Sequence, residues 1–166
     1  MKQKKMGPVI GSTLYSDGTL VAEDVTITLP AVTFVTFDIQ AGGTVSVPTS
    51  LVENMEMSVE KIGIDKGFKK LIKPGATKLE SRWVAEEIDN EGNKKVIGYK
   101  AFMKGFIKEI PAPTVTIGEA QSSSLSYTIT RYELQVDGKQ HLLIDKFNHK
   151  VKIDGVDVVK SISNLL

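Results

Sequence analysis

Apolar and polar positions alternate with period 2 toward the C-terminus. Leu125, Tyr127 and Ile129 are interleaved with Ser126 and Thr128, and Tyr132, Leu134 and Val136 with Glu133 and Gln135. That period sends one stripe of side chains to a core face. Asp137-Gly138 supplies the two positive-φ residues of a tight type I′ turn, and the chain returns through Gln140, His141, Leu142, Leu143 and Ile144. The expected register sets Val136 opposite Lys139, Leu134 opposite His141 and Tyr132 opposite Leu143. Between Thr130 and Tyr132 the stripe moves from odd to even positions, which predicts a β-bulge near Arg131.

Strand-like segments dominate the rest of the chain. Val25, Ile27 and Leu29 alternate with Thr26 and Thr28 until Pro30 stops the run, an edge-strand pattern. Residues 32–39 have strand composition, rich in Val, Thr and Phe. Met55, Met57 and Val59 share one face while Glu56, Ser58 and Glu60 share the other. Leu79, Trp83 and Ala85 likewise oppose Lys78, Glu80, Arg82 and Glu86. Residues 89–93 make a polar connection to a long run over 96–110 that is apolar on both faces, so both faces are expected to be covered, one by the core and one by a helix or partner.

A single helix is predicted. Asp65 is its N-cap, Phe68, Leu71 and Ile72 form its apolar stripe, Lys69, Lys70 and Lys73 suit its C-terminal end, and Pro74-Gly75 stops it. A helix this short holds only when docked on a sheet. The fold class is therefore mainly β, a sandwich or barrel with one short α-helix packed on it. Residues 40–50 are nearly uncharged and rich in Gly, Ser, Thr and Pro, which reads as a loop destined to be covered rather than a solubilising one.

Composition narrows the function. A chain of 166 residues with 41% hydrophobic content sustains one domain with a proper core, here taken as 1–166. Lys+Arg 21 against Asp+Glu 20 leaves too little cationic excess for tight, phosphate-tracking nucleic-acid binding. Zero cysteines exclude disulfides, thiolate nucleophiles and Cys-ligated zinc. Lys2, Lys4 and Lys5 precede no apolar run of signal-peptide length, so a soluble cytoplasmic product with no membrane anchor is expected.

The chemical search yields no catalytic residue, no cofactor and no metal site. His141, Asp145 and His149 are spaced four apart, about 13 Å per step in an extended chain, too far for one ion. His141 reads instead as a partly covered residue beside Leu134. Glu86 and Glu87 point to opposite faces of a strand and cannot act as an acid–base pair. Residues 89–92 lack the alternating ligands of a calcium loop. Tyr127, Tyr132, Phe102 and Trp83 read as core rather than a base-stacking platform.

Several motifs fall in a recognisable order. They are Thr28-Leu29-Pro30, Ala41-Gly42-Gly43, Met55-Glu56-Met57 before the short helix, Gly105-Phe106-Ile107-Lys108-Glu109-Ile110, the run from Tyr132 to Lys139, Ile144-Asp145, Asn148 and Asp154-Gly155-Val156-Asp157. Over nearly the whole chain this order resembles the major tail tube protein family of contractile-tailed, P2-like bacteriophages, whose relatives serve R-type bacteriocins. The family usually closes with an Asn, a Gly and a Leu, whereas this chain ends Ser163-Asn164-Leu165-Leu166.

The resemblance implies a phage tail tube fold, with an N-terminal arm (1–15), a long inter-subunit loop (38–50) and a C-terminal segment (151–166). It implies hexameric rings stacked into a tube inside a contractile sheath. Other implied partners are a baseplate or tube initiator and a tape-measure protein. At a spacing of ~4.8 Å and a tilt of ~40°, about 24 strands enclose a barrel ~48 Å across, wide enough for a DNA duplex. DNA would pass without sequence-specific binding, or the tube would puncture a membrane. The implied location is the virion or bacteriocin particle, assembled in the bacterial host cytoplasm. Inter-subunit contacts are expected at Asp38, Ala41, Gly42, Gly43, Val45, Val47, Pro48, Asp154, Val156 and Leu165, and the lumen at Glu56, Ser58 and Glu60. The lysines of the helix would be solvated or meet the sheath. The competing reading is a monomeric β-sandwich module binding carbohydrate or peptide.

Overall fold

The computed structural model describes residues 4–166. In chain order the first strands are β1 (Lys5–Ser16), β2 (Thr19–Glu23), β3 (Thr26–Thr28), β4 (Phe34–Gln40), β5 (Thr44–Val52) and β6 (Met55–Ile62). Helix α1 (Lys66–Leu71) leads into β7 (Ala76–Ile88), β8 (Lys94–Glu109), β9 (Ser122–Val136) and β10 (Lys139–Asp145). The chain finishes with β11 (Lys150–Ile153), β12 (Val156–Asp157) and α2 (Lys160–Ser163). Ten strands form one antiparallel sheet along β12-β11-β10-β9-β8-β7-β1-β2, with β6 on β9 and β3 on β6, while β4 and β5 pair only with each other.

Strand β9 holds this sheet together by changing partners. Its first half, from Ser122 to Ile129, pairs with β6, and its second half, from Arg131 to Val136, pairs with β10. On β8, Gly105 faces Ile129 and Lys104 faces Arg131, so Thr130 is the extra residue of the expected bulge. Its hydroxyl donates to the Lys104 carbonyl at 3.1 Å, and its own carbonyl accepts from Lys146 N–H at 2.9 Å. The bulge presses the two backbones together at Gly105, where a Cβ would stand 2.1 Å from the Thr128 oxygen.

The β9–β10 turn has positive φ at Asp137 (50°) and Gly138 (76°), as the turn chemistry required. The register beyond it differs from the expected one. Leu134 faces Leu142 and Tyr132 faces Ile144, because the pairing slips between Gln140 and Leu142 and leaves His141 exposed and without a partner on β9, its carbonyl accepting from Asp154 N–H at 2.8 Å instead. The slip brings Ile144, fully buried, onto the core face with Tyr132, which the unshifted register would not.

The alternating stripes meet in one core. Met55, Met57 and Val59 of β6, Leu125, Tyr127 and Ile129 of β9, Ala101 and Met103 of β8, and Leu14 of β1 are all buried in it. Helix α1 closes it with Phe68 and Leu71. Asp65 caps the helix: one carboxylate oxygen accepts from Phe68 N–H at 2.9 Å and the other from the buried Lys61 ammonium at 3.1 Å. The Phe68 N–H, then Lys61, hold the Asp65 carboxyl below its ordinary range. At the other end the Tyr127 hydroxyl donates to the Leu71 carbonyl at 2.6 Å, and burial pushes that hydroxyl's pKa up. The helix also lies against β2 so closely that a Cβ on Gly67 would be 2.0 Å from the Val21 oxygen.

Three local expectations are corrected. Residues 38–50 are not a loop but most of the β4–β5 hairpin, with the turn at Ala41-Gly42-Gly43. Of the N-terminal arm expected over 1–15, residues 1–3 lie outside the described residues and residues 5–15 belong to β1, paired with β7 along most of its length. The C-terminal segment carries a second helix, α2, too short to show as a period in the sequence. No helix among the described residues is long and apolar enough to cross a membrane.

Candidate functional site

The surfaces left unsatisfied by this fold, not a cleft with chemical groups, are the candidate site. Among the described residues no group of three or more His, Cys, Asp or Glu is placed to hold a metal ion. Tyr127 and Tyr132 are buried in the core, and Glu87, also buried, faces Lys4 at 2.8 Å, while Glu86 is half-buried.

The β4–β5 hairpin is amphipathic but solvated. Phe37 faces Val47 and Ile39 faces Val45, so these four, with Val35, make an apolar stripe along one face. Thr36, Asp38, Gln40, Thr44, Ser46 and Pro48 make the other. The polar face is locally tied, Ser46 Oγ donating to Asp38 Oδ1 at 2.6 Å and Gln40 Nε2 to Thr44 Oγ1 at 3.0 Å. On the apolar face Val47 is half-buried and the rest lies open. Phe37 is 50% exposed, Ile39 42% and Val45 44%. An isolated two-stranded hairpin with its apolar stripe in water is marginal on its own, so this arrangement calls for a cover from outside the chain.

Seven of the predicted contact residues, Asp38, Ala41, Gly42, Gly43, Val45, Val47 and Pro48, fall on this hairpin. Val45 and Val47 lie on the apolar face, Asp38 and Pro48 on the polar one, and the small residues form the tip, with φ of 67° at Gly42 and 139° at Gly43. Asp154 and Val156 stand apart from it at the β11–β12 turn, and Leu165 lies past α2. Phe37, Ile39 and Val35 were missed. The signal was present: a Gly-Gly pair flanked by alternating apolar residues is a hairpin signature, obscured by reading the strand and the neutral segment separately.

Further open surfaces accompany the hairpin. Met6, Val9 and Ile10 are exposed on the stretch of β1 that pairs only with β7, and Phe106 on β8 stays 41% exposed, so one side of the long β8 run is not covered within the chain. The sheet does not close on itself. The predicted lumen residues do share one surface. Thr26 faces Glu60 and Thr28 faces Ser58 across β3–β6, and Glu56, Ser58 and Glu60 face Thr128, Ser126 and Ser124 across β6–β9. The result is a hydroxyl-rich band whose Glu56 pairs with Lys108.

Beyond it, an open cavity of about 830 Å3 is lined by Lys78, Glu80, Lys104, Arg131, Glu133 and Asp145. Arg131 bridges Glu133 at 3.2 Å and Asp145 at 3.8 Å. Burial by itself raises the Glu133 carboxyl, but hydrogen bonds from Gln135 and Gln140 and the Arg131 charge outweigh it and hold the group below its ordinary range. These charges neutralise one another. They make a braced wall, not a reactive centre.

The family model for phage tail tube protein FII matches residues 9–166. The chain belongs to this tail tube family. It is therefore a structural subunit of a tube. No curated protein matches this tail tube chain by direct sequence comparison. Among solved structures it is similar in fold to a chain of the sheath–tube complex of an extracellular contractile injection system, PVC, in the extended state. That match has a TM-score of 0.54 at 10% identity and covers 78% of this chain and 90% of the other.

Proposed function

We propose that this tail tube protein forms the inner tube of a contractile tail or injection particle, stacking as hexameric rings around a bore and enclosed by a sheath. The observation that carries this reading is the β4–β5 hairpin, whose apolar stripe is left largely open by the described residues. Burying it on another copy recovers roughly 25 cal/mol per Å2 of apolar surface removed from water. The open sheet supports the same reading, since unpaired strand edges invite further strands.

The bore is lined by the band of Thr26, Thr28, Glu56, Ser58, Glu60, Ser124, Ser126 and Thr128. From residue 122 to 128 on β9, and along β3 and β6, this face carries hydroxyls and carboxylates, and the adjoining cations Lys108 and Arg131 are paired with Glu56 and with Glu133, so a passing DNA strand meets few free cations that would hold its phosphates. The Lys66, Lys69, Lys70 and Lys73 side chains on and after α1 face away from the core and suit contact with an acidic sheath surface. A baseplate or initiator and a tape-measure protein complete the assembly, and the location is the virion or bacteriocin particle, built in the host cytoplasm.

Negative-stain microscopy of the purified chain at high concentration tests the proposal. Rings or tubes with a stain-filled bore are the expected result; a monomer that persists at every concentration would overturn it.

A further inference from the structure

The two halves of β1 are held very differently. From Ser12 onward the strand is tied on both sides. Besides its pairing with β7, Thr13 faces Glu23 and Leu14 faces Ala22 on β2. The Ser12 carbonyl accepts from Asp24 N–H at 2.9 Å, and Ser12 Oγ donates to the Val25 carbonyl at 3.0 Å. Leu14 is fully buried there. The first half, Lys5 to Ile10, pairs with β7 alone, and each of its residues is exposed. It gives no side chain to the core.

The pairing of this half is also interrupted. The register shifts between Met6 and Val9 and again between Val9 and Gly11, and Pro8 has no N–H to give the ladder. At its inner end a cavity of about 190 Å3 lies among Val9, Val25, Ile27 and Trp83, so the strand is not packed down on its neighbours. The side-chain tie stands at the outer end, where Lys4 Nζ meets the Glu87 carboxylate at 2.8 Å. Glu87 is 5% exposed, and a buried charge that loses its partner is strongly disfavoured, so Lys4 works as a latch.

We propose that Lys5 to Ile10 is a displaceable guard strand, latched through Lys4 on Glu87, that closes the edge of β7 from Ala85 to Ile88 in the free subunit and leaves it during assembly. The inference rests on the tube reading above. A bare edge is a template for any passing strand, and the guard suppresses such pairing while subunits are still separate. Its departure takes no apolar side chain out of the core. Opening is confined to ladder hydrogen bonds and one ion pair, which places it at the low-stability end of local openings. Met6, Val9 and Ile10 are left 52–58% exposed where the strand lies, so staying there buries little of them. Gly11 is the hinge, the last residue before the ties on both sides begin.

Hydrogen exchange of the dilute chain, followed by mass spectrometry, reads the guard directly. The expected result is exchange about a hundredfold or more faster over residues 5–10 than over 12–16, with a further rise of about tenfold over 5–10 in Lys4→Met. Equal protection of the two halves would overturn the proposal. The natural absence of cysteine supplies the assembly test. Lys5 faces Ile88, and directly opposed residues lie close enough for a disulfide, so the Lys5→Cys/Ile88→Cys chain has its guard pinned when oxidised. Tube formation is expected to slow about tenfold or more in the oxidised form and to recover on adding reductant. Thr13→Cys/Glu23→Cys, which pins β1 to β2, is expected to assemble alike in both states. A pinned guard that assembles at the reduced rate, or a control that stalls equally, would overturn the guard and leave the tube reading standing. Failure of the unsubstituted chain to form any ring or tube would overturn both.

Discussion

Strands β6 and β9 on one side and hairpin β4–β5 on the other are built from the same alternating pattern, yet their apolar stripes end in opposite environments. Met55, Met57 and Val59 meet Leu125, Tyr127 and Ile129 in a core where each is essentially inaccessible. Phe37, Ile39 and Val45 remain between 42% and 50% exposed. The first stripe stabilises the subunit. The second, no less apolar, gains only its cross-strand pairs within the hairpin. Period 2 identifies a face that needs covering, and what covers it decides whether the stripe serves folding or assembly.

That contrast is broken most sharply by truncating one residue on each side. Leu125→Ala, which leaves a cavity in the core, is expected to lower subunit stability by about 3 kcal/mol, read by urea unfolding of the dilute chain. Phe37→Ala in the same assay is expected to change stability by less than about 0.5 kcal/mol while abolishing tubes in the microscope. A large unfolding loss for Phe37→Ala would show that the hairpin belongs to the subunit core after all.

A second substitution sharpens the core side. Alanine normally improves a helix over glycine, but at Gly67 the added Cβ meets the Val21 carbonyl at 2.0 Å. Gly67→Ala is therefore expected to destabilise by about 2 kcal/mol through overpacking, and the sign, measured by thermal unfolding, decides between propensity and close approach. The corresponding change at the hairpin tip, Gly43→Ala, meets no atom within 4 Å, and its strain comes from the backbone φ of 139° instead.

The smallest effect concerns the cap of α1. Asp65 has its folded pKa lowered, so its contribution is fully present above the ordinary value of 3.8 and is lost as pH falls through the lower folded value. Asp65→Asn is expected to cost less than about 1 kcal/mol near neutrality. The gap between the two proteins should narrow as pH drops below that ordinary value, and a gap that widens there would refute the assignment.

Much of the fold was legible in the residues. The stripes of β6, β7 and β9, the Asp137-Gly138 turn, the Asp65 cap and the bulge beside Arg131 each follow from local rules that need no distant partner. The register past Asp137-Gly138 was not legible, because the slip at His141 goes with the burial of Ile144 beside Tyr132 in a core built from distant strands. Lys61 buried and Ile62 at 69% exposure reverse the hydropathy rule, since Lys61 reaches the Asp65 carboxylate and Ile62 falls on the outward face of its strand. Of the candidate site, the residues around Gly42 and Gly43 were found by their lack of charge, but the alternation through Phe37 and Ile39 was joined to them only by the pairing of β4 with β5.

The amino-acid sequence alone determined the family, the β class, the strand periodicities and the absence of a recognisable catalytic motif, because turn chemistry and side-chain alternation act between near neighbours in the chain. Tertiary structure alone decided which stripes are buried, where β9 exchanges β6 for β10, and that the β4–β5 hairpin pairs only with itself. Those outcomes depend on how residues far apart in sequence share space, and no local pattern encodes them.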